Sequence, residues 1–457
     1  MEILLIRSED PAAGANQDFD GVDSGLAGSL ALAGTVTAVS VAQVRPPRGR
    51  SPRFRLRGLG GAGSSASSAA SGPTARTADS LDELRAGTLS CDVLVTSGWA
   101  ALLACEQMGV LSDVHVLEDF ATPIDAAAGA SGHDDARKFE LVDRARRILA
   151  VSESDVRRLR ARGRFPTLLL AKEDVPNPDS SSRVSVIPIG RLATWVRGIA
   201  PVGRAEEDLG QVLRSAAQRS IPDLAGLLSA CLDGREPGRV QTVNLHHICL
   251  ARTSPVYKET LGTAHAITAD GWPIVRLLNS AGYAVDRVTG ADLVGNLLSD
   301  PRASGLRLAL IGGAEEPGAA FEQLAAEAGA TVVLRDHGDK RDWDPTVLAG
   351  ELNWRNASLA LVAVTQPTGD LLVAELTAAG YHGTAICIGA AVDLFVGGEH
   401  RASPWVQRLR LEWFFRFVQD PKRLWRRYFL EDIPTYFSIV RPMAKRRTLA
   451  PQPDVVG

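Results

Sequence analysis

Four groups of residues in this chain have the types and spacing to handle an anionic, sugar-like ligand. The first is Thr242-Val243-Asn244-Leu245-His246-His247, which closes a β-like run beginning at Val240. Open α/β sheets bind ligands beyond the carboxyl ends of their strands, so a hydroxyl and an amide there can hold a sugar or a nucleotide. As turn, cap and packing residues, the same side chains need no ligand. The second group is Ala269-Asp270-Gly271-Trp272-Pro273. Asp270 stands at the mouth of a predicted helix, where a carboxylate either caps the helix or takes a proton from an attacking hydroxyl. Arg287 follows, just ahead of the turn Thr289-Gly290. A guanidinium held there suits a phosphate or carboxylate. The third is the strand Leu308–Ile311 ending in Gly312-Gly313, which lets a ligand approach the backbone and leads into a helix. It has neither the GK[ST] of a P-loop nor GxGxxG spacing, and no cofactor is expected.

The fourth group is a basic, aromatic tail. From Arg401 to Arg447 there are twelve Lys/Arg against four Asp/Glu, whereas the whole chain carries a net charge of −3. Ten of the 25 aromatic residues fall between Trp405 and Phe437. Such a tail on an acidic body is suited to an anionic, partly apolar target, either a membrane surface or a diphosphate. Asp420-Pro421 reads as a helix start. On that helix Arg423, Arg426 and Arg427 share one face, with Leu424, Trp425, Tyr428 and Phe429 on an adjoining apolar face; Arg416 precedes them. Two patterns are set aside. Asp342-Trp343-Asp344 resembles a DxD metal motif but reads as a polar loop. His246-His247, taken as strand neighbours, point to opposite faces and make a poor metal pair. No metal site is expected.

The elements that must position these groups follow from periodicity. A chain of 457 residues with 45% hydrophobic residues predicts two or three packed domains. MEILLIRSED reads as an opening strand rather than a signal peptide, and no apolar run is long enough to span a bilayer. Five cysteines without a CxxC pair indicate buried thiols in a reducing compartment. In the first half, strands at Asp92–Thr96, Asp113–Leu117 and Arg147–Val151 alternate with helices at Trp99–Met108 and from Ser152, a predicted N-cap, through Arg160. The stretch 58–78, rich in Gly, Ser and Ala, reads as a disordered insertion. An amphipathic helical run from Arg204 to Leu232 leads to a second series. Its strands are expected at Val240–Asn244, Leu308–Ile311, Ala330–Leu334, Leu359–Val364 and Thr384–Ile388, and its helices at Trp272–Ser280, Gly318–Glu327 and Leu371–Ala379. Strands alternating with helices predict an α/β fold: two Rossmann-like domains with parallel sheets and a helical C-terminal appendage. The divisions are 1–190 as an accessory domain, 191–238 as a helical linker, 239–400 as the main α/β domain and 401–447 as the appendage.

From Val240 to Pro442 the motifs TVNLHH, ADGWPIV, DRVTGADL, the IGG strand end, GAAVDLF, HRASPW and LEWFFRFVQDPKRLWRRY resemble the WecG/TagA/CpsF family of bacterial glycosyltransferases. The resemblance implies transfer, with inversion and without a metal, from a UDP-sugar to a polyprenyl-diphosphate-linked acceptor in teichoic acid, capsule or exopolysaccharide synthesis. The expected donor is of N-acetylmannosamine or glucose type. It implies Asp270 as base, with Thr242 as a second catalytic residue and Asn244 lining the same pocket, and Arg287 as the arginine of an RVxG motif. Asp393 is the aspartate of a GAAFDF-like strand end, and Arg416, Arg423 and Arg426 stabilise the leaving diphosphate. The implied place is the cytoplasmic face of the plasma membrane. A nucleic-acid partner is not expected, and a homo-oligomer is left open. One departure stands out: where the family carries a PKQE-like block, this chain has Thr365-Gln366-Pro367-Thr368-Gly369-Asp370. Gly369 replaces the glutamine and Thr368 the lysine, which implies a lost pocket contact. The alternative reading is therefore a decayed, membrane-associated nucleotide-sugar-binding or scaffold protein. Residues 1–190 faintly resemble the first domain of a GT-B glycosyltransferase, through RILAVSESDVRRLRARG.

Overall fold

The computed structural model describes residues 2–8, 35–44, 53–62, 81–117, 119–121, 134–170, 186–188, 191–197, 207–232, 238–396 and 421–449, with single residues at 26, 30, 124 and 418. The chain forms two compact units, 1–161 with 165–206, and 162–164 with 207–457. Both are α/β, as their alternating patterns predict.

The first unit is built on an eight-stranded sheet. Its strands are β1 (Glu2–Ser8), β2 (Thr35–Val44), β3 (Arg53–Ala62), β4 (Val93–Ser97), β5 (Ser112–Leu117), β6 (Ala145–Ala150), β7 (Thr167–Leu170) and β8 (Val186–Pro188), in the order β3-β2-β1-β4-β5-β6-β7-β8. Around it lie α1 (Leu81–Ser90), α2 (Trp99–Met108), α3 (Asp134–Val142), α4 (Glu153–Ala161) and α5 (Leu192–Arg197). Ile3, Leu5, Val95, Val114 and Leu149 form part of its core. Ser152 caps α4 as expected: its Oγ accepts from the Asp155 N–H at 3.1 Å. The disordered insertion expected over 58–78 needs correction at its start. Residues 58–62 belong to β3, whose Gly58 and Leu59 pair antiparallel with Val39 and Ala38 of β2. A ladder of backbone hydrogen bonds needs no large side chains, so glycine-rich sequence can still close a sheet edge. The remainder, 63–78, lies outside the described residues. Among the described residues β3 is also the one antiparallel departure from the parallel sheet expected here.

The second unit opens with α6 (Leu209–Ala217) and α7 (Leu224–Leu232). The single helical run expected from Arg204 to Leu232 is thus broken. Between the two helices Ser220 bridges to Ile267, and the Pro222 carbonyl accepts from the Asp286 N–H at 2.7 Å. Leu227, Leu228 and Cys231 of α7 are buried in the core of this unit. Its sheet contains β9 (Arg239–Val243), β10 (Ala266–Ala269), β11 (Arg307–Gly312), β12 (Thr331–Asp336), β13 (Leu359–Ala363) and β14 (Thr384–Cys387), all parallel, in the order β10-β9-β14-β13-β11-β12. Helices α8 (Leu245–Thr253), α9 (Pro255–Gly262), α10 (Trp272–Ser280), α11 (Gly290–Leu297), α12 (Glu315–Glu327), α13 (Pro345–Trp354), α14 (Thr368–Ala378) and α15 (Ala391–Val396) connect and cover the strands. β9, β13 and β14 are buried at every position. In β13 and β14 this shows as continuous apolar runs, Leu359–Ala363 and Ala385–Cys387, whereas β9 buries Arg239, Gln241 and Thr242 beside its valines. Leu308, Leu310, Leu359, Leu361 and Ile386 pack with Leu293, Leu297 and Phe321, and each such side chain contributes about 1.5–3 kcal/mol by leaving water.

The appendage is helical over 421–446, with α-helical turns at each end and two π-helical stretches, Arg426–Asp432 and Tyr436–Val440. We label it α16. It packs against α8 and α10. Among the described residues no helix is long and apolar enough to cross a membrane. None of the five cysteines forms a disulfide.

Candidate active site

The carboxyl ends of β9 and β10 bring the first two groups of residues together. The Asp270 N–H donates to the Val243 carbonyl at 2.8 Å, so Asp270 continues the ladder just past β10, level with the end of β9. The Val288 N–H donates to the Ala269 carbonyl at 3.0 Å, and Arg287 pairs with Ala269. Arg287 therefore lies alongside the residue before Asp270. Both side chains are half-buried. The cap position of α10 is Gly271, at φ 122°, with Pro273 in the first turn. The helix thus starts two residues after Asp270, and the cap position considered for that carboxylate is held by a glycine.

Asn244 is the N-cap of α8. Its Oδ1 accepts from the His246 N–H at 3.0 Å. The Thr242 hydroxyl donates to the Cys387 carbonyl at the end of β14, at 3.3 Å. The cap role considered for Asn244 is therefore realised, whereas Thr242 lies within β9 and ties it to the end of β14. Thr289 and Asp292 form a capping box on α11. A Cβ on Gly290 would stand 3.0 Å from the Ile388 Cα, so the Thr-Gly pair of the RVTGADL motif serves helix entry and close packing.

A second cluster lies farther along the same sheet edge. Gly312 and Gly313 both have left-handed φ, 82° and 74°. A Cβ at Gly312 would meet the Ala363 carbonyl oxygen at 2.9 Å, so the turn depends on glycine there. The Asp393 Oδ1 accepts from the Ala314 N–H at 3.4 Å, which joins the strand end to α15. Of the tail arginines, Arg416 and the side chain of Arg423 lie outside the described residues. Arg426 is on α16 with 82% of its side chain exposed, and its Nε is 3.5 Å from Glu431 Oε1. The shared apolar face expected for Leu424, Trp425, Tyr428 and Phe429 divides: Leu424 is buried, whereas Trp425 is exposed and stacks on Phe429. The π-helical turns shift the phase of the side chains, so an α-helical wheel misplaces them.

The histidine doublet lies in the first turn of α8, not on a strand, and each ring meets a carboxylate. His246 Nδ1 is 2.9 Å from Asp432 Oδ1 on α16, and Arg427 Nε is 3.4 Å from Asp432 Oδ2. His247 is buried. Its Nδ1 is 2.9 Å from Asn244 Oδ1 and its Nε2 is 3.2 Å from Asp370 Oδ2, which also accepts from the Tyr257 hydroxyl. Burial pushes the Asp370 carboxyl up, but the His247 imidazole and Tyr257 hydroxyl outweigh it and hold the group below its usual range. The ionised form therefore adds stability that is complete above the unfolded-state value and is lost as pH falls through the depressed folded one. Burial, reinforced by the Asp370 charge, holds the Tyr257 phenol well above its usual range. The chemistry of His246, His247 and Asp432 was not drawn from the sequence; the doublet itself, so close to Asn244, was the available signal.

Gly369 stands where the packing leaves no space for a side chain. A Cβ there would stand 2.4 Å from the Val364 carbonyl oxygen and 2.5 Å from Cys387 Sγ. This backbone has no room for a glutamine at position 369. The Asp342-Trp343-Asp344 stretch is structural: the buried Asp344 caps α13, its Oδ1 accepting from the Thr346 and Val347 N–H groups at 3.0 and 3.2 Å. Asp344→Ala is expected to cost about 1–2 kcal/mol. A thermal melt should show this as a midpoint lowered by a few degrees, with no change on adding divalent ions.

A parallel α/β unit with polar side chains gathered at adjacent strand ends belongs to the broad class that binds ligands along that edge. Residues 212–449, just over half of the chain, match the family described as Glycosyl transferase WecG/TagA/CpsF family. The chain belongs to that family, and it is a glycosyltransferase of cell-surface polysaccharide synthesis.

Proposed function

We propose that this glycosyltransferase moves a sugar, with inversion, from a UDP-sugar to a polyprenyl-diphosphate-linked acceptor, without a metal. Asp270 takes the proton from an acceptor hydroxyl, whose oxygen bonds to the anomeric carbon while the bond from that carbon to the phosphate oxygen breaks and UDP leaves. Thr242, Asn244 and Arg287 line the pocket. The Gly312-Gly313 turn and Asp393 hold the nucleotide. Arg416, Arg423 and Arg426 meet the negative charge that develops on UDP; positioned guanidiniums suit that task. The donor is of N-acetylmannosamine or glucose type.

The observation that carries this reading is the packing of the basic helix α16 against α8 and α10. These helices begin beside Asn244 and Asp270, so the tail lies on the elements that present the candidate pocket. The test is incubation with a panel of UDP-sugars and polyprenyl-diphosphate-linked sugars, with products read by mass spectrometry. One added sugar on the acceptor and released UDP are expected. A UDP-sugar retained without any transfer would instead establish the scaffold reading.

The work site is the cytoplasmic face of the membrane, where α16 docks. Trp425, Leu430 and Phe437 are 53%, 62% and 55% exposed, on the same helix as the exposed cations Lys422 and Arg441. Exposed aromatics beside cations suit an anionic lipid surface. Each cation near such a surface contributes about 1 kcal/mol. A chain truncated after Pro404 should no longer sediment with vesicles containing phosphatidylglycerol, and undiminished sedimentation would show that the anchor lies elsewhere.

A further inference from the structure

We propose that His247 and Asp370 are a positioning pair: they hold Asn244 in the conformation that receives the nucleotide sugar. The proposal rests on the transferase reading above. His247 Nδ1 faces two groups of Asn244, the backbone N–H at 3.1 Å and Oδ1 at 2.9 Å, while its Nε2 faces Asp370 Oδ2 at 3.2 Å. Because Nε2 meets only a carboxylate, the fitting tautomer carries its proton there, and Nδ1 accepts from the Asn244 backbone N–H, with Oδ1 as a close neighbour rather than a hydrogen-bond partner. Tyr257 supplies a second donor to Asp370 Oδ2, whereas Asp370 Oδ1 is buried without a hydrogen-bond partner. His247 and Asp370 are 3% and 2% exposed. Together these contacts join the turn after β9 to the first turn of α14, across the end of the intervening β14.

A role in packing alone needs only the contact between ring and carboxylate. A positioning role needs both ends of the ring, and substitution can separate the two. In His247→Gln the amide reaches the place of Nε2 and keeps Asp370, but it releases Asn244. In His247→Asn the shorter amide reaches the place of Nδ1 and keeps Asn244, but it leaves Asp370 without its imidazole partner.

The experiment measures UDP binding by calorimetry for the full-length wild type and both variants. Circular dichroism confirms folding, and amide hydrogen exchange follows residues 244–247. In His247→Gln the affinity for UDP should fall about tenfold, equivalent to about 1.4 kcal/mol, and exchange at Asn244 should quicken. His247→Asn should also weaken UDP binding and should melt at a lower temperature. Wild-type affinity in folded His247→Gln would overturn the positioning of Asn244, and wild-type affinity in His247→Asn would overturn the part given to Asp370. If one variant does not fold, the other decides. A wild-type chain that binds no UDP would overturn the transferase reading itself, and the pair's role with it.

Discussion

Asp270→Asn is expected to lower sugar transfer by about 10²–10⁴-fold, the usual worth of a positioned general base. It should leave the fold and UDP binding nearly unchanged. The amide has the same shape as the carboxylate but cannot accept the proton of the attacking hydroxyl. The ladder bond at this position comes from the Asp270 N–H to the Val243 carbonyl, and the cap of α10 is Gly271. A loss confined to turnover, with an unchanged melting midpoint, therefore isolates the proton transfer. Transfer at the wild-type rate would remove Asp270 from the mechanism, and equal losses of turnover and stability would make it a structural residue.

The same physics decides what was legible in the sequence. β11, β13 and β14 are central strands whose apolar runs, Leu308–Ile311, Leu359–Val364 and Ala385–Ile388, end in polar or glycine residues that mark the ligand edge. α10 is framed by Gly271-Trp272-Pro273 at its start and was located at both ends. β10, in contrast, is four residues long, and nothing in Ala266–Ala269 separates it from a loop. β2 and β3 form an antiparallel edge, which the alternation of strands and helices does not encode. Asp270 and Arg287 stood out because glycine and turn residues flank them. The His247–Asp370 contact escaped notice because its members lie on separate βα turns, and only the order of β9, β14 and β13 brings them together. The tail's charge was plain from composition. Its facing was not, since the two π-helical stretches rotate the side chains away from an α-helical count.

Gly369→Gln is the change that would return the family's glutamine to the altered block, and two opposite outcomes follow from two accounts of that block. If the block had simply lost a pocket contact, the substitution would raise transfer. The packing demands the reverse. A side chain at 369 meets the Val364 carbonyl oxygen at 2.4 Å and Cys387 Sγ at 2.5 Å, and the first of these is backbone at the end of β13, which cannot move without shifting α14. Overpacking of this kind costs about 1–3 kcal/mol, so the melting midpoint should fall by several degrees. Asp370 is the next residue, so any displacement of α14 also separates it from His247 and Tyr257. UDP binding should therefore weaken together with stability. Gly369→Ala already carries the clashing Cβ and should show a large part of both losses, which distinguishes crowding from any special chemistry of the amide. A stable Gly369→Gln chain with faster transfer would sink this packing account and make the glycine a lesion. The expected double loss would make it part of the architecture that keeps the buried carboxylate in place.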